Sequence, residues 1–164
     1  MTVLDVDGLT LTFPEKWQAS KYDEWSFYRN RFAKQTDGMK AVDVVAIDPE
    51  KCAYLIEVKD YRHPETEKPS GLPAAIAGKV MDTLAAMLPA KLLADEVDEQ
   101  EAAAAILKCK SLQVVAHIEQ PARHMPVVDV ADIKQKLKQL LRAVDPHPKI
   151  VSMRDMKGMG WTVR

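Results

Sequence analysis

Residues 41–60 read AVDVVAIDPEKCAYLIEVKD, and the way this stretch pairs with itself decides the fold. Residues 41–47 are almost continuously apolar, with one carboxylate, Asp43, set among the valines. Asp48, Pro49, Glu50 and Lys51 are turn formers, and residues 52–59 return to apolar and β-forming types. Two such runs joined by about four turn residues predict an antiparallel hairpin. Apolar side chains fall on both faces of each run, so the sheet is expected to be covered on both sides. Side chains alternate along a strand, which puts Glu57 and Lys59 on one face and groups Asp43 with Val45 and Ile47.

Outward from this hairpin the chain alternates helical and extended patterns. Residues 3–12 alternate around Asp7-Gly8, a turn dipeptide between β-formers, which predicts a short hairpin ended by Pro14. Over residues 15–33, Tyr22, Trp25, Tyr28 and Phe32 recur at helical steps and predict a helix with one aromatic face. Residues 60–73 form a charged, proline-rich loop. Leu72, Ile76, Val80, Leu84, Met87 and Leu88 then make a helical stripe expected to end near Pro89, and residues 95–108 are alanine-rich and helical. Residues 112–118 read as a strand, and Val130, Ile133, Leu137, Leu140 and Leu141 as a helix with Asp129 as its N-cap. After Pro146 and Pro148, residues 150–163 are expected to form a terminal hairpin turning near Lys157-Gly158. No repeat or low-complexity linker interrupts this order. It predicts a single α/β domain over residues 1–164, with a mixed central β-sheet and helices on both faces.

Bulk properties narrow the function. The 24 acidic and 23 basic side chains nearly cancel, which excludes a histone-like coating of nucleic acid. Cys52 and Cys109 have no CxxC partner, so free thiols are expected and a zinc finger is not. No basic leader and no bilayer-length apolar run is seen, so the expectation is a cytoplasmic protein with no membrane partner. No P-loop, GxGxxG or GxSxG pattern occurs.

The chemistry concentrates in the central hairpin. A carboxylate among valines is expensive to desolvate, and a second one nearby raises the cost. A divalent cation removes both penalties, and Mg²⁺ (or Mn²⁺) suits Asp43, Glu57 and the backbone carbonyl of Val58 together with water and phosphate oxygens. Lys59, two residues after Glu57, is placed to position water or to stabilise charge on a phosphodiester. An edge-strand ion pair between Glu57 and Lys59, with Asp43 capping a turn, is the non-functional alternative for the same residues.

Asp43 followed by Glu57-Val58-Lys59 at the end of an apolar strand resembles the PD-(D/E)xK nuclease superfamily, and residues 22–118 follow its order of elements. The resemblance implies a restriction-endonuclease-like core and a Mg²⁺-dependent phosphodiesterase acting on DNA, with Asp43, Glu57 and Lys59 catalytic. A first-helix acid often joins such sites; Glu24 is the candidate and Asp23 the second choice. Val42 stands where the family's motif has proline. A homodimer would suit cutting both strands of a duplex. A catalytically inactive nuclease-fold domain that binds nucleic acid or a partner protein is the alternative. Lys79, Arg62 and His63 are further candidates for phosphate contact, as are the lysines Lys134, Lys136 and Lys138 with Arg142. The terminal segment adds Lys149, Arg154, Lys157 and Arg164 around Trp161. His117 is expected in the core, and His124 and His147 in loops.

Overall fold

The structure, a computed structural model, describes residues 1–63, 66, 70–123 and 125–164. Parts of the expected loop at 60–73, and His124, lie outside the described residues. Thr2–Val6 (β1) and Leu9–Phe13 (β2) form the expected N-terminal hairpin, with Val6 opposite Leu9. Its turn has φ of +49° at Asp7 and +81° at Gly8, the pair of left-handed residues that a two-residue turn matched to strand twist requires.

The main sheet has five strands in the order β3-β4-β5-β6-β7: Gln18–Lys21, Val44–Ile47, Cys52–Asp60, Ser111–Glu119 and Lys149–Val151. The first three are antiparallel, while β6 and β7 run parallel to β5, so the sheet is mixed. The helices are Ser26–Asn30 (α1), Leu72–Leu93 (α2), Val97–Leu107 (α3) and Val130–Leu140 (α4). Asp129 caps α4 by accepting from the amides of Ala131 and Asp132, which satisfies two of the orphan donors of the first turn.

The expected single α/β domain, with a mixed sheet covered on both faces, is what the structure shows. One face presents Val45, Leu55, Val114 and Ala116 to Ile76, Val80, Met87, Ala103 and Leu137 of α2, α3 and α4. The other presents Val44, Ile56, Val58 and Val115 to Leu9, Leu11, Phe13 and Trp161. That second cover is a three-stranded sheet, β1-β2-β8, completed by Thr162–Val163 (β8), where helices had been expected on both faces.

Three local expectations are corrected. Residues 15–33 are not one helix. Gln18–Lys21 pairs with β4 as the edge strand, which satisfies backbone groups on both strands, and only Ser26–Asn30 is α-helical between single 3₁₀ turns at Tyr22–Glu24 and Phe32–Lys34. The aromatic spacing survives as packing, with the Tyr22 ring 5.1 Å from Trp25 and 5.3 Å from Tyr28. Helix α2 runs through Pro89 to Leu93, because a proline removes one amide without obliging a buried helix to end. Residues 150–163 turn at Lys157-Gly158 as expected, with left-handed φ at both, but their two strands do not pair with each other: β7 joins the large sheet beside β6 and β8 joins the small sheet beside β2. The cysteines are free but half-buried.

Candidate functional site

The register that pairs Val44 with Ile56 sets Asp43, just before β4, across from Glu57 on the helix-covered face. Helix α2 fixes the approach to this point. The Lys40 amide donates to Asp82 Oδ2 at 2.8 Å and the Val42 amide to Thr83 Oγ1 at 3.1 Å. The Asp43 carbonyl then accepts from the Tyr22 amide at 2.9 Å, and its Oδ2 accepts from the Val58 amide at 2.7 Å.

Glu57 is 1% exposed, and two ammonium groups meet its Oε1: Lys79 Nζ at 2.5 Å and Lys59 Nζ at 3.2 Å. Its Oε2 is buried with no partner among the described residues, as are Asp23 Oδ1 and the Tyr22 hydroxyl. Burial, reinforced by the facing Glu57 charge, pushes Asp43 up to about 7, against the pull of the Val58 amide and Lys79. Burial opposes the charge of Lys59, but Glu57, by charge and hydrogen bond, holds the ammonium above its ordinary value. Burial also raises Asp23.

Asp43, Glu57 and Lys59 therefore converge as their strand phases required. Glu24 does not join them. It is about half exposed and pairs with Lys21 at 2.7 Å and Arg29 at 3.9 Å, because the 3₁₀ turn aims it outward where a long helix had been expected. Asp23, the second choice, is the acid whose charge reaches Asp43. The Val58 amide is taken by Asp43. The underweighted residue is Lys79. Its signal was position: it lies three residues after Ile76 and four before Thr83, on the stripe that α2 buries. Among the described residues, no group of three or more His, Cys, Asp or Glu side chains is arranged to hold a metal ion.

The remaining candidates disperse. Arg62 grips Asp60 with Nε at 2.9 Å and Nη2 at 2.7 Å, and His63 lies 3.3 Å from the same carboxylate. His117 is the expected core histidine, fully buried with Nε2 2.8 Å from Glu119 Oε1; burial lowers its pKa, against the pull of Glu119. Trp161 is packed 5.5 Å from the Phe13 ring and 5.4 Å from Tyr54, so it offers no stacking face. Lys134, Lys136 and Lys138 lie on the exposed side of α4, Lys136 paired with Asp132 at 2.8 Å.

The geometry defines a mixed α/β domain in which a buried glutamate, Glu57, is held by lysines from two elements beside the half-buried Asp43. In sequence the chain is 32% identical over 152 residues to a cysteine--tRNA ligase of Neisseria meningitidis serogroup A / serotype 4A (strain DSM 15465 / Z2491), a match that takes in 74% of this chain and 22% of that protein. The chain thus spans about a fifth of the length of the curated relative it matches. No protein-family model matches the chain, and no solved structure matches it.

That likeness corrects the resemblance to the PD-(D/E)xK nucleases. The protein the chain is similar to is a tRNA ligase, and no nuclease family matches. The DNA nuclease activity falls with it, as do the hydrolase reading and the inactive nuclease-fold alternative. So does the reason for expecting a homodimer, which was the cutting of two strands. The physical account is in the site. Lys59 and Lys79 already neutralise Glu57, so an acid–x–lysine pattern on a buried strand arises here without the nuclease constellation. Fold order alone does not carry activity.

Proposed function

We propose that this chain is an RNA-binding module of the tRNA-charging apparatus, which meets tRNA phosphates at the Asp43, Glu57, Lys59 and Lys79 cluster. The observation that carries the reading is the likeness to part of a cysteine--tRNA ligase, a protein named for joining cysteine to tRNA. A segment equal to about a fifth of such a protein is better suited to holding RNA than to performing the whole ligation. The cluster suits a phosphate because both lysine side chains are partly exposed, at 29% for Lys59 and 24% for Lys79, while their shared carboxylate is not. Mg²⁺ or Mn²⁺ belongs to the same proposal. Asp43, half-buried and with only its Oδ2 engaged among the described residues, suits a cation that keeps most of its waters and needs only one or two protein carboxylates, with Glu57 adding its charge from behind; bound there, it would supply positive charge to an RNA phosphate. A cytoplasmic location goes with this role. Among the described residues, no helix is long and apolar enough to cross a membrane.

Fluorescence anisotropy with an unmodified tRNA and a DNA duplex of equal charge tests the reading. The expected result is tRNA binding at least about tenfold tighter than DNA, with a salt dependence that flattens by roughly one phosphate contact in Lys59→Gln. Equal affinity for the two nucleic acids sinks the proposal. A separate thermal melt with Mn²⁺ tests the cation. Saturating metal must raise the midpoint by mass action, and Asp43→Asn must abolish the rise.

A further inference from the structure

Beyond the carboxylate–lysine cluster, the parallel half of the sheet ends in a cleft of about 590 Å³. It opens where β5, β6 and β7 finish at Asp60, Glu119 and Val151. Crevices at the carboxyl ends of parallel strands are where open α/β sheets take ligands. Three cations line this one, Arg62, Arg154 and Lys157, with two carboxylates, Glu119 and Asp155, beside them.

Glu119 is only 6% exposed. Its Oε1 is committed twice, to His117 Nε2 at 2.8 Å and to the Met153 amide at 2.6 Å. Its Oε2 has no partner among the described residues, and Glu119 lines the cleft. Arg62 uses Nε and Nη2 on Asp60 and keeps Nη1 for another acceptor. Lys157 is half exposed and pairs with Asp155, and Arg154 is exposed with no ion pair among the described residues. A fixed acceptor beside three cations fits a ligand that is anionic at one end and carries hydroxyl donors at the other.

We propose that this cleft binds a ribonucleotide unit. Its phosphate lies against Arg154, Lys157 and Arg62, and its ribose hydroxyls donate to Glu119 Oε2. The inference deepens the tRNA reading and rests on it for the source of the unit, which is an exposed nucleotide of RNA or a free nucleotide. Calorimetric titration of the full chain with adenosine 5′-monophosphate, its 2′-deoxy analogue and inorganic phosphate tests it. Adenosine monophosphate should bind more tightly than either of the others. Arg154→Ala, which removes no hydrogen bond or ion pair among the described residues, should weaken it about tenfold. Glu119→Gln keeps an acceptor for His117 and Met153 and should erase the preference for ribose over deoxyribose. Phosphate binding as tightly as the nucleotide, or an Arg154→Ala variant with wild-type affinity, overturns the proposal. The two readings separate cleanly. If tRNA binds and the mononucleotide does not, the cleft assignment falls alone. If the mononucleotide binds and tRNA does not, the cleft stands as a free-nucleotide site and the tRNA reading falls.

Discussion

Glu57 and Glu119 are buried glutamates on neighbouring parallel strands, and the protein keeps each by different means. Glu57 is held by cations from two elements, Lys59 on its own strand and Lys79 on α2. Glu119 is held by a backbone amide and an imidazole that burial keeps toward its neutral form. The first arrangement balances charge with charge and leaves one oxygen sealed and orphaned. The second balances charge with dipoles and leaves one oxygen without a partner among the described residues, on a side chain that lines a cleft. Removing a buried charge's counter-ion is more damaging than removing a neutral hydrogen-bond partner. The comparison therefore makes Glu57 the more fragile of the two and Glu119 the more available to a ligand.

The largest effect expected from breaking this contrast is at the lysines. Lys59→Met with Lys79→Met strands the Glu57 carboxylate and should destabilise the fold by about 3–5 kcal/mol in urea denaturation; Lys79→Met alone, with Lys59 still in place, should lose about half of that. A double variant as stable as the wild type would mean that Glu57 is not kept by charge.

Next in size is pH. Asp43 in the native state is pushed up to about 7 from an unfolded value of 3.8, so the folded chain binds the extra proton between those limits. Stability from this group is present at low pH and is lost as pH rises from about 4 to about 7. His117 has the opposite sign. Its native pKa is lowered from 6.5, so its contribution is present above that value and lost as pH falls below it. Asp43→Asn should remove the loss on the alkaline side and leave the His117 slope. Denaturation midpoints across pH 4–8 that decline equally in both proteins would refute the assignment.

The sequence disclosed the pairing of these groups more readily than their surroundings. Alternation along residues 41–59 placed Asp43 and Glu57 on adjacent strands, and the register bears this out, because a two-residue period leaves little freedom once both faces are apolar. The Asp7-Gly8 turn and the Asp129 cap were equally legible, since each rests on chemistry within a few residues. What stayed hidden depends on contacts distant in sequence. Gln18–Lys21 became a strand because β4 offers it an edge, and nothing within residues 15–33 encodes that edge. The split of the terminal segment between two sheets follows from partners more than thirty residues away on β6 and far earlier on β2. The role of Lys79 needed α2 to be laid across β5. The family resemblance failed for a related reason. A three-letter pattern reports what a buried strand must contain, and more than one arrangement satisfies it.

The smallest expected effect tests the edge of the site. If the 3₁₀ turn directs Asp23 inward and Glu24 outward, the two neighbours should behave as opposites. Glu24 shares its charge with Lys21 and Arg29 in solvent, a pairing that contributes little where water screens it. Glu24→Gln should leave the urea midpoint, the Mn²⁺-induced shift and the tRNA affinity where the wild type has them. Asp23→Asn should move at least the metal response, because the Asp23 charge is felt at Asp43 and one of its oxygens is buried without a partner. A Glu24→Gln variant that loses the Mn²⁺ shift would return Glu24 to the cluster and would require Tyr22–Glu24 to be turned differently from the arrangement described.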